Sequence, residues 1–281
     1  MKKTIQLLLI LFALSNTISA QDFQGKALYK SIRNMEKMNF HMEGGDPVME
    51  QRMKDMLKKQ MEKEFELAFD KQSSVYKKQD ALESSAQQPG GGMVVMFMES
   101  GEDGILYKNT QEKRFASTRD VFGKEFLVKD ELKPIEWKLG KETKQIGNYT
   151  CYNATYERQQ TTTVFISDDS EEDDAPKETI ENITVTVWYT PDIPVAHGPA
   201  MLWGLPGLIM EVQDGNLKTI CTQVILNPTD KIAINEPDGG KVVNEEKYEK
   251  IMREKMDEME KINKGGRKKG EAHTIEINIE G

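Results

Sequence analysis

The segment Trp203-Gly204-Leu205-Pro206-Gly207-Leu208-Ile209 constrains the fold of this chain more than any other stretch. Its two glycines can take positive φ at no steric cost and the proline between them fixes φ, so the backbone bends sharply. Trp203, Leu205, Leu208 and Ile209 then anchor the bend in a core. The flanks are β-rich. Asn182 to Tyr189 alternates Ile183, Val185, Val187 and Tyr189 with Thr184, Thr186 and Trp188, and Pro191 and Pro194 must end that strand because neither has an N–H for an inner ladder. Beyond the bend, Leu208–Val212 and Leu217–Leu226 read as two strands joined at Asp214-Gly215-Asn216, a hairpin signal.

The rest of the chain repeats this grammar. Strands are expected at 23–32, 65–69, 73–77, 93–97, 104–109, 113–117, 125–129, 135–139, 148–157 and 161–166, with short turns that favour antiparallel neighbours over crossover helices. Two amphipathic helices interrupt them. Asp46-Pro47 offers a cap and an N1 proline for a helix over 46–63 with Met49, Met53, Met56 and Leu57 on one face. Asn244 can cap a second, over 244–264, with Glu245 and Glu246 in its first turn, Tyr248, Ile251, Met252, Met259 and Ile262 as its apolar stripe, and Gly265 as its stop. The expected class is mainly β: an antiparallel sheet curled into a half-open barrel or sandwich, with both helices packed on it.

Lys2-Lys3, an apolar run from Ile5 to Leu14 and a polar end at Ile18-Ser19-Ala20 have the layout of a secretory signal peptide. The run is too short to span a bilayer, and no spanning run follows. The domain plan is therefore a leader at 1–20, a β-rich domain at 21–243 with helix 46–63 and acidic loop 167–181 as insertions, and a C-terminal helix, basic tether and terminal strand at 244–281. Export places the mature chain in the periplasm or outside the cell. Loss of Lys2 and Lys3 takes the net charge from -9 to -11, which argues against nucleic acid as a partner, since phosphates are bound by Lys and Arg. Cys151 and Cys221 are the only cysteines, and an oxidising compartment favours a disulfide between them.

Chemistry is sparse. His41, His197 and His273 lie far apart, outside any zinc-gripping spacing, and the nucleophile elbow, phosphate loop and dinucleotide fingerprint are missing. No catalytic residue, cofactor or metal ligand is assigned. Three alternatives carry specific residues. Asp192 and Glu211 are a carboxylate pair for an exported hydrolase. Met49, Met53 and Met56, with Met93, Met96 and Met98, offer thioethers to copper. Asp168 to Asp174, with six carboxylates in seven residues, offers oxygen ligands to calcium.

The seven-residue bend, together with Ile146 to Thr155, Val187 to Pro194 and Gly198-Pro199 in that order, resembles the GLPGLI family of exported Bacteroidetes proteins. The resemblance runs over roughly 20–230 and implies export, β-rich structure and association with the cell envelope. It supplies no catalytic residue. No ionisable group lies within Trp203–Ile209, which is therefore expected to be an architectural joint, with a ligand-facing wall of Trp188 and Trp203 as the binding alternative. The function expected is non-catalytic binding of an apolar ligand, lipid or envelope protein.

Overall fold

The computed structural model describes residues 23–34, 62–79, 104–164 and 177–266. Among these, twelve strands form one sheet: β1 (Gly25–Arg33), β2 (Glu62–Phe69), β3 (Ser73–Lys78), β4 (Leu106–Asn109), β5 (Arg114–Val121), β6 (Lys124–Glu131), β7 (Lys138–Ile146), β8 (Tyr149–Val164), β9 (Lys177–Thr190), β10 (Leu208–Asp214), β11 (Leu217–Leu226) and β12 (Lys241–Val243). The order β12-β6-β5-β4-β3-β2-β1-β11-β10-β9-β8-β7 is two meanders, β1 to β6 and β7 to β11, joined where β1 pairs with β11 from Gly25↔Leu226 to Arg33↔Leu217. Every pairing is antiparallel except β12 with β6, which is parallel.

The sheet is open, since β7 and β12 are unpaired edges, but it cannot be flat. Only Leu132–Trp137 connects β6 to β7, and six residues reach about 25 Å when extended. Ten strand-to-strand steps of about 4.8 Å separate those strands in the sheet, close to 50 Å laid flat. The two arms must therefore curl toward each other. The interior cluster confirms it, because Tyr29, Phe65, Phe69 and Tyr76 of the first meander pack in one group with Ile146, Cys151, Leu208 and Met210 of the second. The fold is thus a single curled sheet rather than a closed barrel.

Two strands outrun their neighbours. The expected strands at 148–157 and 161–166 are one 16-residue strand, β8, whose pairs with β9 from Glu157↔Thr184 to Val164↔Lys177 have no third strand beside them among the described residues. The outer edge, β7, is broken by an irregularity between Leu139 and Thr143, where Asn153 Oδ1 accepts the Glu142 N–H at 3.1 Å. Such a break, with Lys138, Lys141 and Lys144 along the strand, discourages another strand from adding there.

One helix, rather than the expected two, stands among the described residues: α1 (Glu245–Gly266). Of the helix expected at 46–63, residues 46–61 lie outside the described residues. Glu62 and Lys63 open β2 instead, where Glu62 is the register partner of Ile32 and its carboxylate meets Lys30 Nζ at 2.7 Å. The strand at 93–97, the acidic run 168–174 and the terminal segment from His273 also lie outside. No described helix is long and apolar enough to cross a membrane. α1 begins as expected. Asn244 Oδ1 accepts the Lys247 N–H at 3.2 Å, and Asp130 Oδ2 accepts the Glu245 N–H at 3.0 Å. Tyr248 packs edge-on against Phe126 with centroids 6.0 Å apart, under the Arg119 guanidinium, whose two nitrogens also hold Glu245 at 2.6 and 3.0 Å. Asn244→Ala removes the cap and should cost about 1 kcal/mol in chemical denaturation; an unchanged midpoint would mean that Asp130 suffices to start the helix.

Candidate functional site

The connection from β9 to β10, Pro191–Gly207, contains the motif and is built inward. Ile193, Val195, His197, Trp203 and Leu205 are buried, while Ala200, Met201, Gly204 and Pro206 face solvent. Its neck is closed by Leu208 N–H to Ile193 O at 3.0 Å and Ile209 N–H to His197 O at 3.1 Å. The two motif glycines have distinct duties. Gly204 sits at φ +94, and a Cβ on Gly207 would stand 2.2 Å from Thr190 O.

This loop braces the two arms of the curled sheet. Trp203 packs with Phe115, Phe126, Val128 and Leu132 at one arm, while Leu205 packs with Ala154, Val185 and Val187 at the other. Between them, Trp203 Nε1 donates to Lys133 O at 3.0 Å and Trp137 Nε1 donates to Trp203 O at 2.9 Å, so the loop is stitched to the short β6–β7 connection from both sides.

Its centre is an ammonium. Lys108 of β4 is wholly buried, and its Nζ donates to Gly198 O at 2.8 Å, Ala200 O at 2.5 Å and Leu202 O at 2.9 Å. Burial pushes Lys108 down to about 7. The cage acts in the opposite direction: three acceptors match the three N–H donors of an ammonium, whereas a neutral amine has two donors and would aim its lone pair at a carbonyl oxygen. His197 lies alongside. Its Nε2 donates to Asp70 O at 3.1 Å in the β2–β3 turn, its ring is 6.3 Å from that of Phe69, and its buried Nδ1 has no partner. Burial, then the Lys108 charge, push His197 down to about 3, so the imidazole is neutral.

The turn that His197 supports is one wall of a cleft of about 680 Å³. The other walls are the entry to β1 at Phe23 and Gln24 and the extended segment Lys231–Asn235. That segment is held at both ends. Gln24 Oε1 accepts the Ile232 N–H at 3.1 Å, and Glu236 is gripped by Arg114 at 2.7 Å and Lys129 at 2.8 Å. Ile232 is buried and Ile234 packs against Val75, Tyr107, Ala116 and Leu127, whereas Ala233 and Asn235 face outward.

The residues singled out from sequence fall in separate places. Gly198, Pro199 and Trp203 to Ile209 all belong to the brace and its exit into β10. Trp188 and Trp203 belong to different clusters, Trp188 at the interior group and Trp203 at the β5–β6 arm, so the fold does not join them in one wall. Trp188 instead lies under Lys144 Nζ, 4.3 Å from its ring centroid. Asp192 is exposed, while Glu211 is 7% exposed and neutralised by Lys144 at 2.8 Å and Lys218 at 3.6 Å. The expected disulfide is not formed. Cys151 and Cys221 are free thiols on β8 and β11, with β9 and β10 between them, and each donates to a carbonyl of its own strand, Tyr149 O and Gln223 O. Burial pushes Cys151 up to about 11 and Cys221 up to about 12, which leaves both as inert thiols. Among the described residues no group of three or more His, Cys, Asp or Glu is placed to hold a metal. The methionines at 49–56 and 93–98 and the run 168–174 lie outside them.

Residues 137–211 match the family described as "Protein of unknown function (Porph_ging)". The matched span starts at Trp137, which bonds the brace, runs through the brace and ends at Glu211 in β10. Among solved structures, two of PNGF-II are similar, one in the C2 and one in the P21 space group, with 13% and 15% identity and TM-scores of 0.48 and 0.47 over 83% of this chain. This chain spans 33% and 34% of the length of those chains. Curated proteins give no match.

Lys108 lies outside the matched span and was invisible to pattern reading. A lysine in a strand signals a solvent-facing position, and only an unusually buried run, Tyr107 to Asn109, marks it as different. Lys108→Met should leave three interior carbonyls without a donor and cost more than about 3 kcal/mol in urea denaturation; near-neutral stability would show that the cage is dispensable. His197 sets a pH dependence of known sign. Its folded value is below the ordinary one, so the unfolded chain takes up the proton first, and stability is complete above about pH 6.5 and falls toward pH 3. Between pH 7 and pH 4 the native protein should lose roughly 3 kcal/mol more than His197→Gln, compared by denaturation at both pH values.

Proposed function

We propose that this chain is an exported, non-catalytic protein of the cell envelope that binds a partner polypeptide at the cleft between the β2–β3 turn and Lys231–Asn235. The leader-like sequence at 1–20 supports export. Two features favour a polypeptide over an acyl chain or other apolar ligand. The inside of the curled sheet is filled by its own aromatic side chains, with Phe65 and Tyr76 stacked at 4.9 Å and Tyr29 edge-on to Tyr76 at 6.4 Å. The carbonyls of Gly198, Ala200 and Leu202 are likewise committed to Lys108, the Trp203 carbonyl to Trp137, and the Trp203 indole to the Lys133 carbonyl.

The observation that carries the reading is the cleft wall itself. Ala233, Ile234 and Asn235 alternate like a strand, yet their backbone groups have no backbone partner among the described residues. An extended segment fixed at both ends with free N–H and C=O groups is a template for strand addition, in which main-chain bonds supply affinity and side-chain pockets supply selectivity. Fixing it beforehand lowers the ordering cost of binding.

Ala233→Pro tests this directly, because it deletes one free N–H, breaks no internal bond and suits an extended neighbour. Peptides selected from a displayed library on the native protein should bind the variant about tenfold or more weakly, with melting temperature unchanged. Equal binding to both proteins, or failure to select any peptide, contradicts the proposal.

A further inference from the structure

We infer that the cleft is selective for an extended acidic segment of its partner; this rests on the polypeptide-binding reading above. The inference comes from charge. Lys71 and Lys231 both line the cleft and both are exposed, and among the described residues neither takes part in an ion pair or hydrogen bond. The one carboxylate in the lining, Asp70, is already occupied, since its Oδ1 accepts the Gln72 N–H at 2.7 Å and the Ser73 N–H at 2.6 Å to close the β2–β3 turn. The chain's net charge is -9, and several basic side chains, among them Lys26, Lys30, Arg114, Lys129, Lys144 and Arg158, are matched to carboxylates, while others such as Lys77 and Lys124 are not matched among the described residues. What sets Lys71 and Lys231 apart is that both stand on one cleft.

Two unmatched lysines on opposite walls of one cleft, beside free backbone groups, complement a strand carrying acidic side chains. Phe23, Ile232 and Ile234 give the floor an apolar character, so the complementary sequence alternates acidic and aliphatic residues. His197 connects this selectivity to the brace. It fixes Asp70, and with it the position of Lys71, through the 3.1 Å bond to the Asp70 carbonyl. The attraction acts at short range only, because the protein as a whole repels acidic partners and exposed charges are screened beyond about 8–10 Å at physiological salt.

The test is amide-resonance mapping on the full chain with three probes: the blocked peptide Glu-Val-Glu-Val-Glu, its Lys-for-Glu counterpart, and glutarate. The acidic peptide should shift the amides of Lys231 to Asn235 and of Lys71 and Gln72. Its affinity should fall about tenfold or more in the double variant Lys71→Glu, Lys231→Glu and should weaken with added salt. The double variant should keep the native circular dichroism, since neither lysine makes a bond. Equal or tighter binding of the basic peptide at the same amides overturns the acidic selectivity while leaving the polypeptide reading intact. Identical shifts from glutarate mean a small-carboxylate site and overturn the inference. Absence of any shift at the cleft with either peptide overturns both.

Discussion

The structure depends on one buried positive charge. Lys108 reaches from the fourth strand into a loop some ninety residues later, and three carbonyls of that loop close round its ammonium. Removing a lone ammonium from water costs several kcal/mol unless every proton finds an acceptor. The loop meets that demand with backbone alone, so its path is dictated by the geometry of three N–H bonds. This explains how a segment with few regular hydrogen bonds of its own keeps one conformation. Burial first, and then the nearby ammonium, keep the neighbouring imidazole neutral.

Around that charge, the two arms of the sheet are held by apolar contact. Trp203 and Leu205, two residues apart, belong to different clusters at different arms, so the motif acts as a tie between walls that never hydrogen-bond each other. The interior is closed by aromatic side chains from β1 to β3 meeting aliphatic and sulfur-bearing ones from β7 to β11. With the interior packed in this way, the open space lies at the rim, where the β2–β3 turn and the segment after β11 leave a cleft. The brace and the cleft are not independent, because His197 belongs to the loop that contains one and supports a wall of the other.

Much of this arrangement was legible in the residues. The hairpin at Asp214-Gly215-Asn216 formed between the expected strands, with Gly215 at φ +56, and Asn244 caps the helix it was expected to cap. In the motif the large apolar side chains lie inside and the glycines stand where backbone crowding or positive φ requires them. Three things were hidden, each because it depends on distant parts of the chain. Lys108 carries no local sign of burial beyond its neighbours. The strand runs at 148–157 and 161–166 looked separate because Arg158, Gln159 and Gln160 interrupt the apolar alternation, but backbone pairing with β9 is indifferent to that. The disulfide was inferred from compartment chemistry, while the fold puts the two thiols on strands with two others between them.

The pairing of β1 with β11 has a consequence in time. A strand beginning at residue 25 has its second neighbour at residues 217–226, so during synthesis or refolding it must wait for nearly the whole described chain before its free edge is covered. Contacts this remote in sequence carry a large loop-closure cost and form late. Until then the first meander exposes an unsatisfied strand edge and half of an aromatic interior, a combination that invites association with other chains. The Lys108 cage cannot form earlier either, because its carbonyls arrive with the same late portion. The molecule should therefore acquire its sheet closure and its internal brace in one concerted late step, and a partner or chaperone that shields β1 would govern its yield more than its final stability.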